Sequence, residues 1–217
     1  MHSAKPAIQE QLRNLASNNG DPVTVGAAEV EQLASAHALG RREVELAALD
    51  AGIAPRRYVR NLGTVGMDGQ ARLLRSCVAV VGLGGLGGYV VEGLARMGVG
   101  RLLVIDGDDF EETNLNRQLL SLRGNMEMGK VEAALERVGQ VNDSVEIVGH
   151  TARLGAENLD TLLAGAQVVV DCLDRLHSRL VLQAGARRLG IPMVHGSIAG
   201  FLGQVIPILP GAPGLEL

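Results

Sequence analysis

From residue 56 onward, short runs of apolar residues alternate with stretches of helical periodicity. The apolar runs predict strands at 78–81, 102–105, 145–148, 168–171, 192–195 and 204–209. The stretches between them predict helices at about 85–97, 130–140, 159–164 and 179–189. Alternation at this spacing produces right-handed βαβ units. We therefore predict an α/β fold, a Rossmann-like, doubly wound, mostly parallel sheet, with Pro207 placing its strand at an edge.

Residues 1–55 have a more polar pattern, which predicts helices. Apolar side chains recur there at helical spacing, and the polar run 18–22 and Gly40 divide the pattern into separate helical segments. The small residues and proline of 51–55 predict a joint to the rest of the chain. We therefore predict two parts, an N-terminal helical appendage over 1–55 and an ATP-binding α/β domain over 56–217.

A helix-turn-helix motif is one interpretation of the N-terminal segment. Ala36, Gly40 and Leu46 have the spacing of that motif, which would suggest DNA binding. Residues 26–50, however, carry two basic and five acidic side chains, a net charge of −3. A protein that follows phosphates needs the opposite charge. We therefore favour an appendage that packs on the domain or on a partner, and we expect no nucleic-acid binding.

Composition narrows the class of protein further. Aromatic residues make up only 2% of the chain and tryptophan is absent, so aliphatic side chains must form the core, as in a parallel sheet covered on both faces. The net charge of −4 argues against a general nucleic-acid or membrane-surface binder. No apolar run reaches about 18 residues, so we expect no membrane span. The two cysteines, Cys77 and Cys172, form no disulfide framework and predict a reducing, cytoplasmic location.

A glycine-rich turn follows the first predicted strand. Gly82, Gly84 and Gly87 form the pattern G-x-G-x-x-G between that strand and the next helix. Such glycines allow a sharp bend, a close approach of backbone to phosphate, and close packing of helix on strand. Asp106 ends the next strand, 19 residues after Gly87, where a carboxylate can accept both ribose hydroxyls. The arrangement predicts a nucleotide site, and the alternative is a close-packed structural turn.

Charged residues beyond Asp106 indicate which nucleotide binds. Asp108 and Arg117 follow it in the same loop, Lys130 starts a predicted helix, and Asp174 follows a later strand. All lie at strand ends or in the loops after them, where ligands bind in open α/β sheets. Two cations and a spare carboxylate suit a triphosphate with Mg²⁺. Asp108 could instead only shape its loop, and Asp174 could cap the helix that follows.

Seven short motifs lie in order between residues 56 and about 210. They are Arg57-Tyr-Val-Arg60, Gly82-Leu-Gly-Gly-Leu-Gly87, Asp106-Gly-Asp108, Asn114-Leu-Asn-Arg117-Gln118, Gly129-Lys130, Asp171-Cys-Leu-Asp174 and Gly203-Gln204-Val205. In order and spacing they resemble the motifs of the ThiF/MoeB/HesA family, relatives of the ubiquitin-activating enzymes. The resemblance implies ATP-dependent adenylylation of the C-terminal glycine of a small ubiquitin-like or sulfur-carrier protein that ends in Gly-Gly, with release of pyrophosphate. It also implies ATP and Mg²⁺ as cofactors and a homodimer.

The resemblance also implies a role for each matching residue. Asp174 would hold Mg²⁺, and Arg60 would act across the dimer interface as an arginine finger. Asn114, Arg117 and Lys130 would contact phosphates and stabilise developing charge. The wider nucleotide-contact set adds Asp106 at the ribose, together with Gly82, Gly84, Gly85, Gly87, Asp108 and Gln118.

Some features depart from the family pattern or lie outside it. Arg175 follows Asp174 where the family usually has asparagine. The Cys-x-x-Cys pairs that hold zinc in many members are absent, so we expect no zinc. Cys77 and Cys172 lie in or beside predicted buried strands, where a thiol is usually inert, and we expect no thioester or persulfide step on them. His195, in an apolar strand, is expected to be structural. Relatives continue beyond this segment, so we expect a C-terminally incomplete domain.

Three other functions stay open from the sequence. An NAD(P)-dependent Rossmann oxidoreductase would share the glycine turn and Asp106. A tRNA-modifying dehydratase of the same superfamily would also adenylate its substrate. A non-catalytic nucleotide- or partner-binding module would account for Arg175 and for the missing acceptor cysteine.

Overall fold

The sheet is built around one strand whose five residues are all buried. The structure is a computed structural model that describes residues 4–17 and 22–215. No helix in this described part is long and apolar enough to cross a membrane. The helices are α1 (Ala4–Leu15), α2 (Ala27–His37), α3 (Arg41–Asp50), α4 (Leu62–Arg75), α5 (Gly87–Met97), α6 (Lys130–Val141), α7 (Leu159–Leu162) and α8 (Leu176–Arg188). The strands are β1 (Thr24–Val25), β2 (Ala54–Pro55), β3 (Cys77–Val81), β4 (Arg101–Asp106), β5 (Glu146–Thr151), β6 (Val168–Asp171), β7 (Met193–Ala199) and β8 (Leu202–Ile208).

Six of these strands form the main sheet, in the order β5-β4-β3-β6-β7-β8. Neighbouring strands are parallel except β7 and β8, which pair antiparallel. The prediction from Pro207 is confirmed, because β8 is the edge strand. From β3 the chain continues outward to β4 and β5, and it then returns to β6 on the other side of β3. The carboxyl ends of β3 and β6 therefore form a topological switch point, where open α/β sheets bind ligands.

Helices cover both faces of the sheet, as the aliphatic composition predicts. Val78 and Val80 of β3 point into a core that also contains residues of α5 and α6. Ala79 and Val81 point into a second core with residues of α7 and α8. Because successive side chains of a strand point to opposite faces, β3 contributes to both cores. The predicted doubly wound, mostly parallel α/β fold is confirmed.

Several element boundaries differ from the predictions. Strand β5 extends to Thr151, and α8 begins at Leu176 rather than at residue 179. Helix α5 begins at Gly87 rather than at residue 85, because the glycine turn continues to Leu86. Helix α4 was not predicted, since its glycines weaken the helical pattern, and it is kinked at Gly66, where φ is 67°.

The N-terminal segment forms a helical unit with its own core. Leu12, Leu33 and Val44, from α1, α2 and α3, are buried in one cluster. Residues 51–55, predicted as a joint, include strand β2, which pairs in parallel with β1. Of the predicted break at 18–22, residues 18–21 lie outside the described residues. The exact boundary between residues 55 and 56 stays a prediction.

A buried polar network joins α3 to the α/β domain. The hydroxyl of Tyr58 donates to Glu45 Oε2 over 3.3 Å, and Asn142 Nδ2 donates to Tyr58 Oη over 2.9 Å. Asn142 also donates to the carbonyl of Ala95 over 2.8 Å. Burial raises the pKa of the Glu45 carboxyl and the pKa of the Tyr58 hydroxyl. Tyr58, the tyrosine of the Arg57-Tyr-Val-Arg60 motif, is therefore a structural contact between the two parts.

The basic pair at the start of α3 contacts protein groups. Arg42 Nη1 donates to the carbonyl of Gly100 over 2.6 Å. Arg41 forms ion pairs with Glu31 and Asp143. Leu49 of the same helix is buried with Tyr58 and Leu74, so α3 packs on the α/β domain, and both arginines are engaged with protein groups.

Glycine at position 87 is a packing requirement that mutation can test. A Cβ on residue 87 would lie 1.8 Å from the carbonyl oxygen of Gly82, whereas a Cβ on Gly93 of the same helix would meet nothing within 4 Å. We expect Gly87→Ala to lower the free energy of unfolding by about 1–3 kcal/mol, because the turn and helix must separate. Gly93→Ala is the matched control and should raise it by roughly 0.5–1 kcal/mol. Urea unfolding of both variants measures this, and equal effects would contradict the packing role.

Candidate nucleotide-binding site

The glycine turn connects β3 to α5 at the switch point. Gly82 has φ 91°, and a Cβ there would lie 2.7 Å from the carbonyl oxygen of Cys172. Gly82, Gly84 and Gly85 line a cavity, while Gly87 is buried in the contact between turn and helix. Gly82 therefore combines a close backbone contact with the cavity wall, Gly84 and Gly85 are open to a ligand, and Gly87 serves packing. This matches the distribution of roles that the G-x-G-x-x-G pattern predicts.

A cavity of about 310 Å³ lies over the carboxyl ends of the central strands. Its wall combines the glycine turn with the loops that follow β4, β5 and β6. Seven charged side chains line it: Asp106, Asp108, Arg117, Lys130, Arg153, Asp174 and Arg175. Four cations against three carboxylates leave the wall with one excess positive charge, which favours an anionic ligand.

Asp106 lies at the end of β4 and joins two loops. Its Oδ2 accepts the amide of Leu83 over 2.6 Å, and its Oδ1 accepts the amide of Asp108 over 2.8 Å. Each carboxylate oxygen keeps a further lone pair, so the group can still accept hydroxyl donors from a ribose. The carboxylate therefore sets the geometry of the cavity in addition to lining it.

Lys130 and Asp108 form an ion pair at the cavity wall. Lys130, the first residue of α6, is 7% exposed, and its Nζ lies 3.3 Å from Asp108 Oδ2. The other oxygen, Oδ1, lies 3.4 Å from Arg153 Nη2. One carboxylate thus balances two cations that face the cavity. A buried ammonium beside a cavity, at a helix start where a cation is unfavourable, indicates a role toward an anion.

Arg117 and Gln118 have polar groups that are left for a ligand. Arg117 donates from Nη1 to the carbonyl of Thr113 over 2.8 Å and to Asn116 Oδ1 over 3.0 Å, with no carboxylate partner among the described residues. Gln118 Oε1 is buried without a hydrogen-bond partner in the described part of the chain. An unpaired buried acceptor is costly unless a ligand or water satisfies it. Both side chains line the cavity.

Asn114 lies outside the cavity wall. Its Oδ1 accepts the amide of Glu111 over 3.0 Å, and its carbonyl accepts the amides of Arg117 and Gln118 over 3.2 and 2.9 Å. The residue therefore closes the turn that presents Arg117. Arg60 is also outside the wall, in an exposed turn before α4, so one chain alone does not bring it to the cavity. Their predicted contacts with the nucleotide stay predictions.

Asp174 lines the cavity as predicted and has no hydrogen bond or ion pair to another described residue. It does not cap α8, because Arg175 occupies the N-cap position and makes no side-chain capping bond. Among the described residues no three His, Cys, Asp or Glu side chains cluster as a metal site. One free carboxylate fits Mg²⁺, which proteins often hold through one or two carboxylates together with the substrate's phosphates.

Three cavity residues with charged or hydroxyl side chains, Arg153, Arg175 and Ser178, were absent from the set of contacts predicted from the sequence. Arg153 follows β5, and the sequence pattern ended that strand at residue 148, too early to place the arginine at the sheet edge. Arg175 appeared there only as a departure from a family pattern, and Ser178 lies in the first turn of α8. The signal that could have found them is position, since each follows the carboxyl end of a parallel strand.

His195 and Cys172 lie beneath the cavity loops. His195 Nδ1 is 2.6 Å from Asp171 Oδ2, and both side chains are almost fully buried, so the prediction of a structural histidine is confirmed.

Cys172 lines the cavity, and burial together with the Asp171 charge raises the pKa of its thiol to about 12. Burial also raises the pKa of Cys77. Both thiols are protonated near neutral pH and are poor nucleophiles.

A known protein family matches most of this chain. The model of the ThiF family matches residues 58–215. This chain belongs to the ThiF family. A relative in Haloferax volcanii named SAMP-activating enzyme E1 is 40% identical over 159 residues, which cover 72% of this chain and 59% of the relative. The sulfur carrier protein ThiS adenylyltransferase of Escherichia coli is 36% identical over 156 residues, which cover 71% of this chain and 62% of the relative. This ThiF-family chain thus spans about six-tenths of the length of these relatives.

Solved structures share the fold. The Escherichia coli tRNA N6-threonylcarbamoyladenosine dehydratase in complex with ATP matches with a TM-score of 0.65 at 31% identity, over 68% of this chain and 61% of that one. PaaA matches with a TM-score of 0.62 at 23% identity, over 97% of this chain and 64% of that one. The second likeness therefore includes the N-terminal helices, and it concerns the fold alone.

The thiol pKa values lead to a test by alkylation. With a pKa of about 12 for Cys172, the thiolate fraction at pH 8 is on the order of 10³-fold below that of a free cysteine. We expect native protein to react with iodoacetamide far more slowly than protein unfolded in guanidinium, at both cysteines. Peptide mass spectrometry over time measures this. Native alkylation of Cys172 at the unfolded rate would contradict the inert assignment.

Proposed function

We propose that this ThiF-family chain transfers the adenylyl group of ATP to the C-terminal glycine of a ubiquitin-like or sulfur-carrier protein. The observation that carries the proposal is the convergence of Arg117, Lys130 and Asp174 on one cavity beside the glycine turn. The names of the relatives at 40% and 36% identity, an E1 that activates SAMP and a ThiS adenylyltransferase, support this substrate class.

In the proposed reaction a carboxylate oxygen of the carrier attacks the α-phosphorus of ATP. The bond from that phosphorus to the bridging oxygen breaks, and pyrophosphate leaves with its electron pair. Lys130 and Arg117 offset the negative charge that develops on the phosphates, and the amides of Gly84 and Gly85 approach them from the turn. Asp174 would hold Mg²⁺, which supplies further charge neutralisation at the phosphates. No proton transfer and no protein nucleophile is needed, so positioning accounts for the catalysis.

Charge distribution in the cavity favours ATP over NAD(P). The wall holds four cations and a carboxylate without a partner among the described residues, in a volume of about 310 Å³. A hydride-transfer site needs room for a nicotinamide and a second substrate, and it has no use for this set of cations. The ATP complex of the dehydratase at 31% identity supports the same choice of nucleotide.

A dehydratase that adenylates a tRNA-linked group is the second candidate, on the basis of that same structural likeness. Its substrate is a large polyanion, and binding it requires a positively charged surface. The net charge of −4 for this chain favours the carrier-protein substrate over tRNA.

Pyrophosphate exchange tests the proposed reaction. We expect radiolabelled pyrophosphate to enter ATP only when a carrier protein ending in Gly-Gly is present. Lys130→Ala should lower kcat/KM by about 10²–10³-fold, because one charge-stabilising donor is lost from the transition state. Arg188→Ala is the control, since Arg188 is exposed and pairs with Asp160 away from the cavity. Exchange with tRNA instead of the carrier would favour the dehydratase, and exchange with neither would contradict adenylylation.

Arg60 in trans is a separate part of the proposal, together with a homodimer. Arg60→Ala and Lys130→Ala homodimers should each be inactive, because every site lacks one essential cation. Mixed subunits would place both defects in one site and leave the other site intact. Mixing equal amounts should therefore restore up to about a quarter of the wild-type exchange rate. Activity that stays at the level of the separate variants would exclude a contribution from the partner subunit.

A further inference from the structure

The backbone amide and the backbone carbonyl of Leu173, directly before Asp174, are both held by side chains. Its amide donates to Asp171 Oδ1 over 3.0 Å. Its carbonyl accepts a hydrogen bond from Arg179 Nε over 2.9 Å, and Arg179 Nη2 donates to the same oxygen. Arg179 reaches back from the second turn of α8 to make these bonds. These hydrogen bonds define the backbone direction of the loop between β6 and α8 at Leu173.

Asp171, which accepts the hydrogen bond from the Leu173 amide, is itself held by a contact with the sheet. Asp171 is 0% exposed, and its second oxygen, Oδ2, lies 2.6 Å from Nδ1 of the buried His195 on β7. In addition, the amide of Cys172 donates to the carbonyl of Val81 at the end of β3 over 2.9 Å. These contacts connect the loop to two strands of the sheet, which are rigid supports.

Asp174 has no comparable support of its own. It is exposed, and no hydrogen bond or ion pair joins its carboxylate to another described residue. An aspartate side chain is short, so the direction of its carboxylate depends mainly on the backbone from which it projects. The nearest backbone groups that side chains hold are the amide and the carbonyl of Leu173.

We propose that Arg179 is a positioning residue for Asp174 and acts through the backbone carbonyl of Leu173. The buried Asp171–His195 pair supports the same residue through its backbone amide. The inference rests on the proposed function, which assigns Asp174 to Mg²⁺. Contacts behind a metal ligand keep it in the geometry that the metal needs, and their loss typically weakens metal affinity. The planar guanidinium suits the task because two of its N–H groups reach one carbonyl oxygen.

Metal affinity tests this without any carrier protein. Binding of Mn²⁺ to the protein with ATP is followed by electron paramagnetic resonance, and binding of ATP alone is measured by calorimetry in EDTA. We expect Arg179→Met to weaken Mn²⁺ binding about tenfold while ATP binding without metal changes less than about twofold. Arg179→Lys, which keeps one donor, should recover part of the loss. Arg188→Met on the same helix is the matched control and should leave both affinities unchanged.

A double-mutant cycle separates positioning from a merely structural role. If Arg179 acts through Asp174, adding Arg179→Met to Asp174→Asn should cause no further loss of Mn²⁺ binding. Additive losses, wild-type Mn²⁺ binding in Arg179→Met, or an equal loss of metal-free ATP binding would each overturn the inference. Should Arg179→Met fail to fold, Arg179→Lys still decides, because unchanged Mn²⁺ binding together with a wild-type response of exchange to metal would overturn the positioning role.

The positioning role of Arg179 and the proposed function can fail independently of each other. A missing carrier-dependent exchange would contradict adenylylation of a carrier and leave the binding results interpretable. Conversely, normal exchange with Arg179→Met at low Mg²⁺ would support adenylylation and overturn the positioning role.

Discussion

The carboxylate of Asp106 is the contact on which the cavity depends. By accepting the amides of Leu83 and Asp108, it joins the glycine turn after β3 to the loop after β4. The two loops come from adjacent parallel strands, so their ends are already close, and the shared carboxylate defines their separation. Asp108 and Arg117 of the cavity wall lie in the second of these loops, and Lys130 begins the helix that follows it.

Charge is distributed unevenly around that frame. Asp108 balances Lys130 and Arg153, whereas Arg117 and Arg175 have no carboxylate partner in the described part of the chain. In the proposed reaction an incoming polyphosphate would replace Asp108 as the counter-charge of Lys130 and would meet Arg117 and Arg175 without a competing carboxylate. Preorganised cations of this kind lower the cost of charge that develops during phosphoryl chemistry.

The N-terminal helices are connected to a strand that ends at the cavity. They have a separate core, yet the Glu45–Tyr58–Asn142 network attaches them to the loop that leads into β5. Strand β5 in turn ends near Arg153 at the cavity. The appendage therefore stabilises the far end of a strand whose near end contributes to the nucleotide site.

The fold class, the glycine turn and most of the charged cavity residues follow from the amino-acid sequence alone. Local signals suffice for these, because a buried parallel strand is a continuous apolar run and a residue after such a strand must lie at the sheet's carboxyl edge. Asp106, Lys130 and Asp174 were predicted in this way, and all three line the cavity.

Which side chains line the cavity, and which contacts hold them, is visible only in the folded chain. Asn114 closes the turn that presents Arg117, and its predicted phosphate contact stays a prediction. Arg153 was missed because β5 extends further than its apolar run. The bonds from Asp171 and Arg179 to Leu173 were also invisible. Hydrogen bonds of a side chain depend on its direction and on distant partners, and periodicity and spacing along the chain contain neither.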